Sequence, residues 1–297
     1  MLEYPIYNNI SDEYVVTKLR QFLKEDAPNG DFTTLLTISD KEKSLAVLEA
    51  EEDIVFVGEK IIQHTFYKGF NIEFHCKDGE KVLKGGKIAS VIGPSAKILT
   101  KERVLLNLLQ RLSGIATITS KYVEVAKPYN VKILDTRKTT PGMRLFEKYA
   151  VAIGGGHNHR LDLSTGILIK DNHIIASGGI KEAVSKIRNS ELWANNPLKI
   201  ELEVDTIEQI DAGLESKVDG FLLDNMSPEI TYNAVKVIRD YKNGDYIGNE
   251  ILIESSGGIT LETLKDYVPT GINAISIGAL THSVKSANIH LEFYEIK

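Results

Sequence analysis

The sequence predicts an α/β protein whose second half is a (β/α) barrel, and three observations carry that expectation. After Lys127, six short apolar runs alternate with helical stretches, as parallel strands joined by crossovers require. Charged and hydroxyl residues gather at the C-terminal ends of those runs, the face on which barrels build their sites. No Gly-x-Gly-x-x-Gly turn ends any of the elements, which disfavours a dinucleotide-binding sheet. An open doubly wound sheet is the competing arrangement.

Apolar residues make up 42% of the 297-residue chain, enough for a sizeable core, and the formal net charge is −6. A net anion is not drawn to nucleic acid or to an acidic membrane, so neither partner is expected. No segment approaches the ~20 apolar residues that span a bilayer. Met1-Leu-Glu-Tyr-Pro5 has no basic stretch followed by an apolar run, so no secretory leader is expected. The single cysteine, Cys76, implies no disulfide and no oxidising compartment, and the expected location is the cytoplasm.

The elements follow in order. Residues 12–25 form an amphipathic helix with Val15, Leu19, Phe22 and Leu23 on one face. Residues 44–57, 71–76 and 88–92 are short apolar or alternating runs broken by glycine, read as strands of a modest sheet, with Cys76 a structural residue of one of them. From Leu99 to about Lys127 the spacing of Val104, Leu105, Leu108, Leu109 and Leu112 is helical. The six runs of the second half are Lys132–Leu134, Gly166–Ile169, Ile200–Val204, Gly220–Leu223, Ile251–Ile253 and Ala274–Ile277. Helices are expected over Gly179–Arg188, Thr206–Ser216, Pro228–Lys242 and Leu261–Val268. A closed barrel needs one or two strands more, and the region Ala150–Ile153 is the candidate for one.

Four groups carry chemistry. Arg137, Lys138, Arg160 and Lys170 lie at strand ends or in their loops, and converging cations in an acidic chain call for an anionic ligand unless they are solvated surface charge. Ser255-Ser256-Gly257-Gly258 and Gly278-Ala279 sit in the loops after the last two runs, where barrels often bind phosphate through backbone N–H groups; ordinary turns are the alternative. Glu201, Glu203 and Asp205 alternate along one run and so share a face, with Leu202 and Val204 toward the helices and Asp224 ending the next run. Carboxylates beside a phosphate site suit Mg²⁺, while pairing with the cations would serve Glu201 equally well. Gly154-Gly-Gly-His-Asn-His159 offers close backbone approach, with His157 and His159 either as an H-x-H metal pair or with His159 as a donor to an anion.

Taken together the motifs resemble the quinolinate phosphoribosyltransferase family. The matching stretches include Asn29–Thr34, Glu102–Thr117, Asp135–Arg144, Glu147–Val151, Gly154–Arg160, Leu168–Ile174, Leu222–Met226, Ser256–Ile259 and Ser276–Ser283, in family order over most of the chain. The loop Leu161–Gly166 departs from the family pattern at Thr165, where an acid is usual. The resemblance implies an N-terminal α/β sandwich domain over residues 1–112, an open (β/α) barrel over 113–279, and a C-terminal tail, 280–297, packed back on the first domain. It also implies a homodimer in which Arg103 reaches the neighbouring active site.

The substrates the resemblance implies are quinolinate and phosphoribosyl pyrophosphate, with Mg²⁺ as cofactor. Quinolinate would be surrounded by Arg103, Thr136, Arg137, Lys138, His159, Arg160 and Lys170. Glu203 and Asp224 would face the ribose hydroxyls and the metal, and with Lys138 and Lys170 form the catalytic set. Ser256, Gly257, Gly258, Ile277, Gly278 and Ala279 would hold phosphate through their backbone. Rival readings are a paralogue associated with molybdate transport genes, a non-catalytic sensor of a phosphorylated ligand, and a Schiff-base lysine at Lys170, which would need a desolvated amine.

Overall fold

The structure is a computed structural model and describes residues 3–295. Residues 1–2 and 296–297, the outermost of the expected leaderless start and of the expected tail, lie outside the described residues. The chain divides into two compact units. Its strands are β1 (Lys43–Ala50), β2 (Ile54–Val55), β3 (Asn71–Phe74), β4 (Lys81–Val82), β5 (Lys87–Pro94), β6 (Lys132–Leu134), β7 (Ile167–Ile169), β8 (Ile200–Val204) and β9 (Gly220–Asp224). They continue with β10 (Lys242–Asn243), β11 (Tyr246–Ile247), β12 (Leu252–Ser256), β13 (Ala274–Ser276) and β14 (Ile289–Glu295).

One unit comprises residues 7–120, 140–155 and 280–295. It begins with the helix Asp12–Asp26, whose first turn is capped by the Ser11 hydroxyl accepting the Tyr14 N–H, and which buries Val15 and Leu19. An antiparallel sheet in the order β14-β1-β5-β3 follows, with Leu45 set between Ile92 and Tyr294. The helix Ser95–Ala126 has most of its length in this unit and buries Ile98, Leu105, Leu109 and Leu112 at helical spacing. Leu109 lies over Gly58, where a Cβ would come within 2.0 Å of the leucine Cδ2, so only glycine admits this packing. Cys76 sits just beyond β3 rather than within it. Its thiol is buried and pushed up to about 12 by desolvation and then by nearby acids, which makes it an inert structural residue.

Ala150–Ile153, the candidate for an extra barrel strand, is instead the end of the helix Arg144–Ile153. Apolar side chains on nearly every side of this segment look like a buried strand in sequence, but they are a helix buried on several faces. Its Glu147 is fully buried and is held by Arg111 at 2.7 Å.

The other unit comprises residues 3–6, 121–139 and 156–279. Its main sheet has six strands among the described residues, all parallel, in the order β6-β13-β12-β9-β8-β7. From β7 onward each barrel strand lies beside its predecessor, and the last, β13, returns to pair with the first, β6. That cyclic order belongs to a barrel and not to a doubly wound sheet, whose order reverses in the middle. The ladder is open between β6 and β7. There the irregular segment after Gly156 supplies one isolated parallel bridge, His157 to Leu134.

The strands read as apolar runs because both faces are covered. Leu202 packs outward against the helix Ile207–Glu215, where Gly213 leaves room for it and for Phe221. The acids of β8 therefore point inward as far as Glu203, but Asp205 lies past the strand end and is exposed. The helix expected over Leu261–Val268 is reduced to Leu264–Tyr267, and that over Pro228–Lys242 ends at Asp240 before the unforeseen hairpin of β10 and β11.

Candidate active site

A cavity of about 370 Å³ opens at the C-terminal ends of the barrel strands, and every residue lining it belongs to the barrel unit. Thr136, Arg137 and Lys138 enter it from the loop after β6. The Thr136 hydroxyl accepts the Lys138 N–H at 3.0 Å, a local turn that folds this loop back over the strand end. Asp135, fully buried at the end of β6, accepts the side-chain amide of Asn158 at 2.6 Å and the backbone N–H of His159 at 2.9 Å. That carboxylate clips the segment carrying His159 and Arg160 onto the end of β6, next to the loop that carries Arg137.

The arginines and Lys170 are held in different ways. Arg160 donates one guanidinium N–H to Gly166 O at 2.9 Å, across a loop that Thr165 helps to close by accepting the Asp162 N–H. Its pKa is held below the usual arginine value by burial and then by the neighbouring Arg137. The Nε of Arg137 is buried and has no partner among the described residues. Two arginines repel each other here, one with an unsatisfied buried donor, and an anion between them would relieve both costs. Lys170, at the end of β7, is paired with Glu203 of β8. It is a half-exposed, ion-paired ammonium, not the desolvated amine that Schiff-base chemistry needs.

Glu203 and Asp224 end adjacent strands and both line the cavity. Asp224 accepts the side-chain amide of Asn225, and the Asn225 N–H donates to Ser256 O at 2.9 Å, which joins the loops after β9 and β12. Gly257 follows at a φ of +99°, and a Cβ there would fall 2.1 Å from Asn225 Oδ1, so this junction requires glycine. Ser256 and Ser276 line the cavity, while Ser255 is fully buried within β12. Gly257 and Gly258 continue the loop from Ser256, and Ile277, Gly278 and Ala279 that from Ser276. The Ile277 N–H itself donates to Leu134 O, extending the ladder between β13 and β6.

Beneath the cavity lies a buried polar cluster. Glu201 and Glu254 face each other from β8 and β12, and the hydroxyl of Tyr4 donates into the pair. Burial and then the Glu201 charge raise Glu254 to about 7, so near neutrality Glu254 is partly protonated. His159 Nε2 lies 3.3 Å from Glu201 and 3.8 Å from Glu254. The three groups have a spacing that would suit a metal ion. However, His159 Nδ1 accepts the Arg160 N–H at 2.8 Å, so the ring proton sits on Nε2, which is a donor to the acids and not a ligand. His157 makes its bridge at β6 and does not line the cavity with His159, so the H-x-H pair does not converge.

Most of the residues singled out from sequence come together here. Arg103 does not: it is exposed on the helix Ser95–Ala126 and takes no part in the lining. Asp205 stays outside as well. Tyr4, Asp135, Glu254 and Ser276 had been given no role. An acid inside the apolar run Leu252-Ile-Glu254 was a usable signal for Glu254; nothing local marks Tyr4.

Known proteins resemble this chain in sequence and fold. Two family models match in succession, quinolinate phosphoribosyl transferase N-terminal domain over residues 31–113 and C-terminal domain over residues 115–292. The chain is 43% identical over 277 residues to a probable nicotinate-nucleotide pyrophosphorylase (carboxylating) of Bacillus subtilis, covering 92% of this chain and 91% of that one. It is 39% identical to the chloroplastic nicotinate-nucleotide pyrophosphorylase (carboxylating) of Arabidopsis thaliana, covering 91% and 80% of the two. Among solved structures, the nicotinate-nucleotide pyrophosphorylase of Francisella tularensis superposes with a TM-score of 0.89 at 33% identity, covering 98% of this chain and all of that one. With both domains matched in order and the cation-lined cavity at the mouth of an open barrel, the chain belongs to the quinolinate phosphoribosyltransferase family.

Proposed function

We infer that the chain transfers the phosphoribosyl group of phosphoribosyl pyrophosphate to the ring nitrogen of quinolinate, with loss of CO₂. The products are nicotinate mononucleotide and pyrophosphate, and the reaction belongs to de novo NAD biosynthesis. The observation that carries the reading is the pair Arg137–Arg160, two partly desolvated guanidiniums with an unsatisfied donor, opposite the acids Glu203 and Asp224. A dicarboxylate fits the cations and a polyhydroxylated sugar fits the acids.

In this reading Arg137, Arg160, Lys138 and Lys170 bind the carboxylates of quinolinate, with Thr136 and the imidazole edge of His159 completing the wall. Such charge-assisted contacts orient the ring nitrogen toward the ribose carbon, and holding two reactants in line removes much of the entropic barrier. As the bond to pyrophosphate lengthens, the sugar becomes cationic, and the Glu203 and Asp224 carboxylates stabilise it there. Ser256 and the backbone of Gly257, Gly258, Gly278 and Ala279 receive the phosphates, while the Ile277 N–H, expected among them, is already donated to Leu134 O. Decarboxylation leaves an electron pair beside the now positive ring nitrogen, so the substrate supplies its own sink, a proton from solvent completes that ring carbon, and no protein nucleophile is needed.

Glu203 and Asp224, two carboxylates at neighbouring strand ends, suit Mg²⁺, which binds through few carboxylates plus substrate oxygens. When bound, the ion would neutralise charge on the departing pyrophosphate. The exposed position of Arg103, away from the cavity lining, supports its assignment to the neighbouring site of a homodimer. A cytoplasmic location completes the reading, supported by one buried cysteine that asks for no oxidising compartment. Among the described residues, no helix is long and apolar enough to cross a membrane.

The test is a product assay with purified protein, Mg²⁺, phosphoribosyl pyrophosphate and either quinolinate or nicotinate. Nicotinate mononucleotide from quinolinate alone, abolished by a chelator, is the expected result. Product from nicotinate alone, or none from either acid, would overturn it.

A further inference from the structure

At the floor of the barrel the N-terminal segment meets the segment that carries Arg160. Two contacts join them directly, and a third runs through two buried acids. The Asn158 N–H donates to Pro5 O at 2.9 Å. The Tyr4 and His159 rings lie with centroids 5.7 Å apart. The Tyr4 hydroxyl donates to Glu254 and lies 3.2 Å from Glu201, the two acids that also face His159 Nε2.

His159 is thus engaged on every polar side by the protein itself. Its backbone N–H goes to Asp135, its Nδ1 takes the Arg160 N–H, and its Nε2–H goes to the acids. A neutral imidazole has one donor and one acceptor. Fixing Nε2 as the donor leaves Nδ1 as the acceptor that holds the Arg160 backbone. The acids can accept from His159 in a fixed direction only while a second donor satisfies the rest of the pair. Glu254 already has one oxygen, Oε1, buried and without a partner among the described residues. While the Ser276 hydroxyl serves Glu254 alone, the phenol of Tyr4 is the donor that reaches both acids. Without it, the pair draws His159 toward Glu254 or admits water, and the Arg160 backbone loses its acceptor in the observed position.

We propose that Tyr4 is a positioning residue for the carboxylate-binding Arg160, acting through the Glu201–Glu254 pair and the imidazole of His159. The N-terminal segment is then part of the substrate site without touching substrate. The inference rests on the assignment of Arg160 to quinolinate made above.

Full-length Tyr4→Phe keeps the ring and removes only the hydroxyl. The expected result is a KM for quinolinate raised about tenfold, the loss of one hydrogen bond to a charged group, with the KM for phosphoribosyl pyrophosphate within about twofold of the parent. The ¹⁵N signals of the His159 ring should also move away from the Nε2–H tautomer. In an Arg160→Ala background Tyr4→Phe should have no further effect on the quinolinate KM, because the two act in series. Glu201→Gln, which keeps the size of the side chain and perturbs the same chain from the other end, should reproduce the selective rise if Tyr4→Phe folds poorly. An unchanged quinolinate KM in Tyr4→Phe with Arg160→Ala impaired would overturn the proposal alone. Equal rises for both substrates, or additivity with Arg160→Ala, would reduce Tyr4 to a structural role. Parental quinolinate KM in Arg160→Ala would instead overturn the assignment of the site on which the proposal rests.

Discussion

Arg137→Ala separates binding from folding at the cavity. In the unliganded protein Arg137 is a burden: its Nε is buried without a partner, and its charge helps to depress the pKa of Arg160. An unsatisfied buried donor costs about 1–3 kcal/mol, and truncation relieves it while losing some packing of the side-chain stem. The net change in stability should therefore stay within about 1 kcal/mol, a shift in Tm of a few degrees at most. With quinolinate bound the balance inverts, because a buried anion loses a charged partner at a cost of roughly 2–5 kcal/mol. The quinolinate KM should rise at least about 30-fold, with the KM for phosphoribosyl pyrophosphate little changed. Steady-state kinetics with each substrate varied in turn, paired with thermal unfolding with and without quinolinate, reads both effects. A variant that unfolds several kcal/mol more easily, or that binds quinolinate like the parent, would refute the reasoning.

Two other perturbations test the floor and the phosphate loop. Glu254 has a folded-state pKa of about 7, above its usual 4.5, so the native state holds more protons than the unfolded state between those values. Stability from this group is therefore present below about pH 4.5 and lost as pH rises through about 7. Glu254→Gln mimics the protonated acid, so relative to the parent it should gain up to about 3 kcal/mol between pH 5 and pH 8 in denaturant melts; a pH-independent difference would contradict the raised pKa of Glu254. Gly257→Ala forces a side chain into a φ of +99° and onto Asn225, and should cost about 1–3 kcal/mol of stability and weaken phosphoribosyl pyrophosphate more than quinolinate, as kinetics on both substrates would show.

Much of the barrel was legible before any coordinates. The six runs from Lys132–Leu134 to Ala274–Ile277 correspond to the six parallel strands, because strands covered on both faces must be apolar and the helices between them amphipathic. The cations and acids at their ends were legible for the same reason: in a short strand-to-helix loop there is little besides the site to explain Arg137, Lys170 or Asp224. What failed was whatever lacks a period. Ala150–Ile153 is apolar because it is a buried helix, and local pattern does not separate that from a buried strand. Asp205 shares the alternation of Glu201 and Glu203 but falls one step beyond the point where β8 ends.

The sequence by itself determined the alternation of strand and helix, the inward face of β8 and the residues able to hold anions, since these follow from side-chain chemistry and spacing along the chain. Only the tertiary structure decided that β13 closes back on β6, that Asp135 ties Asn158 and His159 to the first strand, and that Tyr4 meets Glu254 from 250 residues away. Those contacts join residues remote in sequence through hydrogen bonds made in a buried, low-dielectric interior. No local pattern specifies which distant donor will satisfy a buried acid; the closure of the barrel does.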